Sequence, residues 1–202
     1  MKVICFYSIL GDDVNKLFLI KMKNILLILS ICVTQISFTQ TSCKKLYTEA
    51  YRLITEGNYD KAVSKLEKAL SIDTLGNCGT QFNGKVHNEL GYAQMRLGNL
   101  ELSRELFDKS IDLNPRNPDP RTNRAASYIL ENDFENALLA LDEFINELPG
   151  YPLAYWQRGN IKENSGDIEA ALIDYKQAKY HNSKVNLLPQ PIIEQIENKL
   201  NR

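Results

Sequence analysis

The side chains best suited to chemistry in this sequence are two histidines and four cysteines. Neither His87 nor His181 has a cysteine or carboxylate at the spacing of a zinc site, and a site built from Cys78 and His87 would lack ligands. The sequence contains no glycine-rich phosphate loop and no GxSxG motif. We therefore expect both histidines to be solvated residues on helix surfaces. We predict no metal, no cofactor and no enzymatic activity.

Two cysteines are the remaining residues for covalent chemistry. Cys5 and Cys32 fall within an N-terminal leader, which leaves Cys43 and Cys78 in the rest of the chain. The absence of a CxxC pattern leaves a thioredoxin-like redox function without support. In an oxidising compartment an isolated pair of thiols often forms a disulfide, whereas in the cytosol both thiols would stay reduced. The alternatives are a disulfide between the two cysteines and two unrelated free thiols.

The leader has the character of an export signal. Residues 22–24 form a short basic start, and residues 25–33 form an apolar core that is too short to span a bilayer comfortably. Small residues before a possible cleavage site give a mature chain that starts near Gln40. We interpret residues 1–39 as an extended signal peptide, with Met22 as the true translation start. The chain is therefore expected to be exported and to be periplasmic or envelope-associated.

Two alternatives would attach the chain to a membrane. The leader could remain uncleaved as an interrupted anchor, or Cys43 could be acylated as in a bacterial lipoprotein. Residues 40–42 lack the apolar residue that begins such a lipoprotein signal. Lipidation would consume the Cys43 thiol and exclude a disulfide.

A repeat with a period of about 34 residues organises the rest of the chain. Gly98, Asn132 and Gly166 recur at this constant interval, and each precedes a polar-to-apolar step into a helix. Gly57 begins the same turn at a wider interval before Gly98, which implies an insertion between the first two units. In each unit a small residue is followed four positions later by a large apolar one: Ala62 and Leu66, Ser103 and Phe107, Ala137 and Leu141, Ala171 and Tyr175. This is the spacing of a buried helical stripe.

The period predicts an all-α fold of four antiparallel helical hairpins. Pro115 and Pro149, separated by the same interval, end the second helices of two units. Because one hairpin leaves an apolar face exposed, the units must stack on one another. The predicted helices are 44–56, 59–72, 85–97, 100–113, 119–131, 134–147, 153–165 and 168–181. The predicted domain is 43–202, with units at about 43–76, 84–117, 118–151 and 152–185 and a C-terminal capping helix at about 189–201.

The hairpins also predict how the cysteines meet. Cys43 begins the first helix, and Cys78 follows the second helix within the insertion, which we place at residues 75–81. A hairpin returns on itself, so both positions lie at the same end of the first unit. We predict a Cys43–Cys78 disulfide, with two free thiols as the open alternative.

The repeat resembles the tetratricopeptide repeat family over residues 43–183. Leu90-Gly91, Ser103, Phe107 and Pro115 follow the small and large signature of that family. Departures from the signature are Arg121, Phe144 and Ser183. The resemblance implies a right-handed α-solenoid whose first helices line a concave, protein-binding groove.

In arrays that resemble this one, fixed positions of each first helix point into the groove, and the same positions in this sequence give the candidate groove residues. Tyr47, Tyr51, Tyr92 and Trp156 would form an aromatic track, unless several of these rings pack between neighbouring helices instead. Asn123 matches the middle asparagine of repeats that clamp chaperone C-termini, but the flanking cations of that clamp are missing. The residues predicted to contact a partner are Tyr47, Tyr51, Asn88, Tyr92, Met95, Thr122, Asn123, Trp156 and Asn160.

Composition and charge narrow the class of partner. With 44% hydrophobic residues the chain can bury a sizeable core, and a formal net charge of −1 gives no reason to expect nucleic acid. Membrane contact would come only from an uncleaved leader or from lipidation. We predict an exported interaction module that binds a protein or peptide in its concave groove. The alternative is a structural or assembly subunit of a bacterial envelope complex.

Overall fold

A computed structural model describes residues 2–73, 76 and 78–201, without the side chains of residues 2–20. Met1 and two residues of the predicted insertion, Leu75 and Asn77, lie outside this part of the chain. All regular structure among the described residues is helical. The helices are α1 (Lys2–Thr55), α2 (Tyr59–Ile72), α3 (Thr80–Arg96), α4 (Leu100–Leu113), α5 (Asp119–Leu130), α6 (Phe134–Glu147), α7 (Pro152–Asn164), α8 (Ile168–Val185) and α9 (Gln190–Leu200).

Consecutive helices pack as hairpins, and each hairpin packs against the next. The predicted all-α solenoid is confirmed in the described residues. The bends match between units, since Gly57, Gly98, Asn132 and Gly166 all have positive φ, between 61° and 88°. Glycine adopts this conformation without a steric penalty, and asparagine is one of the few other residues that tolerates it.

The first helix differs from the prediction. We expected a helix over residues 44–56, whereas α1 runs without a break from Lys2 to Thr55. No proline or glycine stands between residues 12 and 56, so no residue type in that stretch ends the helix. Within it, Lys21–Thr55 contains a window long and apolar enough to cross a membrane, a test that a signal sequence near the N-terminus also passes. The apolar core at residues 25–33 lies inside this longer helix, so the cleaved signal peptide and the uncleaved anchor both stay predictions.

Two other helix boundaries also differ, each for a local reason. Helix α3 begins at Thr80 instead of residue 85, directly after Gly79 with φ of 91°, so the end of the predicted insertion is helical. Helix α8 continues to Val185 because Ser183 stands where other units have a proline. It ends at Asn186, which adopts the left-handed conformation.

Close contact within a hairpin depends on small residues. A Cβ at Gly91 would lie 2.7 Å from Cε1 of Phe107, and a Cβ at Gly159 would lie 2.8 Å from Cε1 of Tyr175. The rings of Phe107 and Tyr175 are fully buried. The glycine and the ring thus fill one space between the two helices of the second unit and of the fourth unit.

The apolar residues form two clusters, one around α1 to α4 and one around α5 to α9. The departures noted in the sequence are accommodated in these clusters. Phe144 is fully buried, with its ring centroid 5.3 Å from that of Tyr151. Arg121 is buried and forms an ion pair with Glu147. Ile196 of α9 is buried in the second cluster, so the last helix covers the apolar face of the fourth hairpin.

Candidate functional site

Two adjoining cavities lie along the first helices of the repeat units. The first has a volume of about 590 Å³ and reaches from α1 across α3 and α5 to the start of α7. The second, of about 530 Å³, lies beside it between α1, α3 and the start of α5. Four residues line both cavities: Tyr51, Asn88, Glu89 and Asp119. We call the continuous surface formed by the two cavities the groove.

Six of the nine predicted contact residues line the groove. Tyr51 and Asn88 line both cavities, Tyr92, Thr122 and Asn123 line the first, and Tyr47 lines the second.

The other three predicted residues lie elsewhere. Met95 is buried and lines neither cavity. Trp156 packs against the apolar cluster of the last helices, which is the packing alternative to the aromatic track. The side-chain oxygen of Asn160 accepts a hydrogen bond of 2.9 Å from the hydroxyl of Tyr175. The repeat phase identifies the helix face but not how deeply the neighbouring helix covers it.

The sequence prediction missed Glu89 and Tyr151, which both line the groove. Glu89 follows Asn88 directly and lies at the edge of the same helix face. Tyr151 precedes the first residue of α7, in a loop whose path the repeat phase does not specify. The available signal for Glu89 was its adjacency to a predicted groove position.

A pair of asparagines links two first helices at the groove. The Nδ2 group of Asn123 donates a hydrogen bond of 3.1 Å to Oδ1 of Asn88, and Nδ2 of Asn88 donates one of 3.3 Å to Oε1 of Glu89. Asn88 is only 5% exposed, so its amide holds the neighbouring groups in place.

Glu89 and Asp119 are two carboxylates of the groove that form no ion pair with a described residue, although Lys85, Arg96 and Arg116 also line the two cavities. Burial raises the pKa of Glu89, and the negative charge of Asp119 raises it further against the lowering effect of the Asn88 hydrogen bond. Among the described residues, no lysine, arginine or histidine forms an ion pair with either carboxylate. A buried carboxylate beside a like charge is less stable than a solvated one, and a cation would relieve this.

Tyrosine rings form the walls of the groove. Tyr47 lies edge-on to Phe82, with 5.5 Å between ring centroids, and 6.4 Å from the ring of Tyr51. Burial and the charge of Glu89 raise the pKa of Tyr47 to about 12, so its hydroxyl stays protonated at neutral pH. At the rim, the guanidinium of Arg96 lies 4.9 Å from the ring centroid of Tyr59 and donates a hydrogen bond to the hydroxyl of Tyr92.

Both histidines, predicted to be solvated residues on helix surfaces, are partly exposed and also contact neighbouring groups. His87 is partly buried, and its Nδ1 atom lies 2.8 Å from the carbonyl oxygen of Asn83. His181 is also partly buried, and its ring stacks on Tyr155 with 5.1 Å between centroids. Burial and the charge of Lys184 lower the pKa of His181. Both rings therefore take part in contacts within the helical array.

The two predicted cysteines are joined by a disulfide, with 6.5 Å between their Cα atoms. Cys43 is fully buried, so a lipid on its sulfur would require this end of the first unit to open. The amide of Cys78 donates a hydrogen bond of 3.0 Å to Asp73, the residue that follows α2.

Comparison with known proteins agrees with the architecture. Models of the tetratricopeptide repeat match residues 84–117 and 153–182. The crystal structure of MamA is 19% identical, with a TM-score of 0.58 over 73% of this chain and 82% of that chain. MamA from Desulfovibrio magneticus is 15% identical, with a TM-score of 0.55 over 79% of this chain and 94% of that chain. A tetratricopeptide repeat protein from Parabacteroides merdae is 18% identical, with a TM-score of 0.56 over 79% and 63% of the two chains.

At such identities the solved structures show a common fold and nothing further. Among curated proteins, none matches the sequence. The family models identify repeats in both halves of the array, and the solved structures have the same hairpin architecture. The chain therefore carries tetratricopeptide repeats at residues 84–117 and 153–182, within a solenoid of helical hairpins.

Proposed function

We propose that the groove binds an extended segment of a partner polypeptide and that a basic side chain of this segment enters between Glu89 and Asp119. Tetratricopeptide repeats are protein–protein interaction modules and generally act as non-enzymatic scaffolds. The observation that carries the proposal is the position of these two carboxylates, which line both cavities and have no cationic partner among the described residues.

The shape of the groove suits a polypeptide. Its two cavities join along the first helices, so they can follow an extended chain rather than enclose a small molecule. Tyr51 is half exposed, and Tyr92 lies farther along the groove. Tyrosines provide a large contact area together with a polar hydroxyl, and little conformational entropy is lost when they are held.

The negative charge of Glu89 and Asp119 favours a partner segment with a basic side chain. A lysine or arginine side chain would neutralise the partly buried carboxylate of Glu89 together with the exposed carboxylate of Asp119, whose charge acts on it. A hydrogen bond to a charged group contributes about 1.5–3 kcal/mol, which corresponds to about a 10- to 100-fold change in affinity. An acidic side chain at the same place would meet like charges and be rejected.

A peptide array tests the proposal directly. Extended peptides would be presented in sets that differ only in one central residue, which is lysine, arginine, alanine or glutamate. Wild-type protein should prefer the peptides with a central lysine or arginine. The double variant Glu89→Gln and Asp119→Asn should lose this preference by about 10- to 100-fold, because its groove no longer carries negative charge.

The control changes a surface on the opposite helices. Leu139 and Ile173 stand on the second helices α6 and α8 and are 60% and 56% exposed. The variant with serine at both positions should bind the same peptides as wild type. Equal binding of all central residues by wild type, or an unchanged preference in the Glu89 and Asp119 double variant, would contradict the proposal.

The same two apolar residues favour a second candidate function, that of an assembly subunit. Leu139 and Ile173 occupy the same position in successive repeats, so adjacent units present equivalent apolar side chains to solvent. Such a repeated apolar surface is typical of contact with another subunit. If assembly is the function, the serine variant should fail to enter a large envelope complex that wild type enters, as measured by size fractionation of detergent extracts.

We also infer export of the chain. An apolar segment near the N-terminus and a disulfide in the folded repeats both favour an oxidising, extracytoplasmic compartment. Fractionation of cells that express the chain with a C-terminal tag would test this inference, and recovery of the tag in the cytosol would contradict it.

A further inference from the structure

Three metal-ligating atoms meet where the first and second repeat units join. The sulfurs of Cys43 and Cys78 and a carboxylate oxygen of Asp73 all lie within 4.8 Å of one another. They come from three separate segments, namely α1, the end of α2 and the turn before α3. Cys43 and Asp73 are both buried, so two of the three ligands are shielded from bulk water.

We propose that, once the Cys43–Cys78 disulfide is reduced, the two thiolates and the Asp73 carboxylate bind one Zn²⁺ ion. Thiolates and carboxylates are ordinary zinc ligands, and three protein ligands with one open position are common in zinc sites. Two ligand atoms on one tetrahedral zinc ion lie about 3.5–3.8 Å apart, given Zn–S and Zn–O bonds of about 2.3 and 2.1 Å. The carboxylate oxygen lies within 4.8 Å of each sulfur, so each sulfur–oxygen distance needs to shorten by about 1.2 Å at most. The two sulfurs move apart to the ligand–ligand distance once their bond is reduced.

The carboxylate is already held in position. Its Oδ1 atom accepts the amide hydrogen of Cys78 at 3.0 Å, and its Oδ2 atom accepts a hydrogen bond from Nδ2 of Asn83 at 2.9 Å. Hydrogen bonds of this kind orient a ligand before the metal arrives, and their loss commonly reduces metal affinity about 10- to 100-fold. Asn83 is one turn into α3, so the orientation depends on the second repeat unit.

The chemistry balances with a dithiol as reductant. The dithiol transfers two electrons and two protons to the disulfide, which becomes two thiols, while the dithiol is oxidised to its own disulfide. Binding of Zn²⁺ then forms two metal–sulfur bonds and releases the two thiol protons. The disulfide and the metal are thus alternative cross-links of the same three segments, one for oxidising and one for reducing conditions.

Cobalt(II) is the probe for the test, because its bonds to thiolates absorb in the near ultraviolet. The experiment uses the full chain in detergent with Cys5→Ser and Cys32→Ser, so that Cys43 and Cys78 are the only thiols. After reduction by dithiothreitol and its anaerobic removal, the protein should bind one Co²⁺ per chain with a thiolate charge-transfer band. Binding should release about two protons at pH 7, where ordinary thiols are protonated. The oxidised protein should show no such band.

Variants separate this site from unspecific metal binding. Asp73→Asn should keep the charge-transfer band but bind Co²⁺ about 10- to 100-fold more weakly, because one of the three ligands loses its charge. Asp60→Asn, at an exposed position of α2, is the matched control and should bind as the parent does. Circular dichroism would verify that each reduced variant keeps its helices.

A second measurement uses no ligand variant. Zn²⁺ should slow the alkylation of both Cys43 and Cys78 in the reduced protein by at least tenfold, as followed by mass spectrometry. Equal alkylation rates with and without Zn²⁺, or the same Co²⁺ affinity in Asp73→Asn and its parent, would overturn the proposal.

Discussion

Glu89 is held in the folded protein at a partly buried place beside another carboxylate. Burial and the charge of Asp119 raise the pKa of Glu89, whereas in the unfolded chain a glutamate has its ordinary value of about 4.3. The folded state therefore binds this proton more readily than the unfolded state. By linkage, the free energy of unfolding falls as the pH rises from the unfolded pKa to the folded pKa, and the loss is complete above the folded pKa.

Replacing Glu89 by glutamine should therefore raise the melting temperature at pH 7. The gain should shrink as the pH falls through the raised pKa of Glu89 and should vanish below the ordinary carboxyl value of about 4.3. Thermal unfolding followed by circular dichroism at several pH values would measure this difference. Glu105→Gln, at an exposed position of α4, is the control. A lower melting temperature for Glu89→Gln than for wild type at pH 7 would contradict the argument.

Single residues show how far the sequence predicts the groove. Tyr51 and Asn88 were predictable, since the repeat phase identifies which face of a first helix points away from its own hairpin. Met95 and Trp156 were predicted on the same phase, but neighbouring helices bury the first and cover much of the second. Burial depends on where the next element packs, and the sequence of one helix does not contain that information.

Among the helices, α7 and α8 are joined by a buried charge as well as by apolar packing. The carboxylate of Asp174 is fully buried and accepts hydrogen bonds of 2.6 and 2.9 Å from Arg158 and one of 2.8 Å from Lys162. Arg158 also donates to Asp142 of α6, at 2.6 Å. One guanidinium thus connects three successive helices.

The change Asp174→Asn should lower the free energy of unfolding by about 3 kcal/mol. This is the low end of the range for removing one partner of a buried ion pair, because Arg158 and Lys162 keep partial contact with water. Asp142→Asn is the matched control and should cost less than about 1 kcal/mol, since Asp142 is exposed. Urea unfolding would measure both, and equal effects of the two changes would contradict the ranking.

Helix boundaries were predictable where a residue type enforces them. Pro115 and Pro149 follow the ends of α4 and α6, and these ends lie where the sequence predicts them. The start of α1 had no such marker, and α8 runs on where Ser183 replaces a proline. The sequence therefore predicts the interior of the array better than its two ends.

For the molecule as a whole, the Cys43–Cys78 bond closes a segment with a sequence separation of 35 residues. This segment contains the first hairpin, which has a neighbouring unit on one side only. A terminal unit of a repeat array lacks half of the stabilising interfaces that an internal unit has. The disulfide therefore restricts the unfolded state of a unit that has fewer stabilising interfaces than an internal unit.

Reduction of the disulfide should lower the free energy of unfolding by about 3–4 kcal/mol on the chain-entropy model for a loop of this length. The measurement is guanidinium unfolding with and without a reductant, in buffer with a chelator so that no metal replaces the bond. The double variant Cys43→Ser and Cys78→Ser should unfold at the same guanidinium concentration in both conditions. No shift of the wild-type midpoint on reduction would contradict the prediction.

The unbroken course of α1 has a mechanical consequence. While the apolar segment remains attached, it belongs to the same continuous helix as the α1 residues that line the groove. A rotation of the segment about the helix axis therefore rotates those residues as well. A helix advances about 1.5 Å and rotates about 100° per residue. One alanine inserted near residue 36 would therefore swing the direction in which the groove opens by about a quarter turn relative to that segment, and four would restore it to within about 40°. The number of inserted residues thus sets the angle between the apolar segment and the direction in which the groove opens.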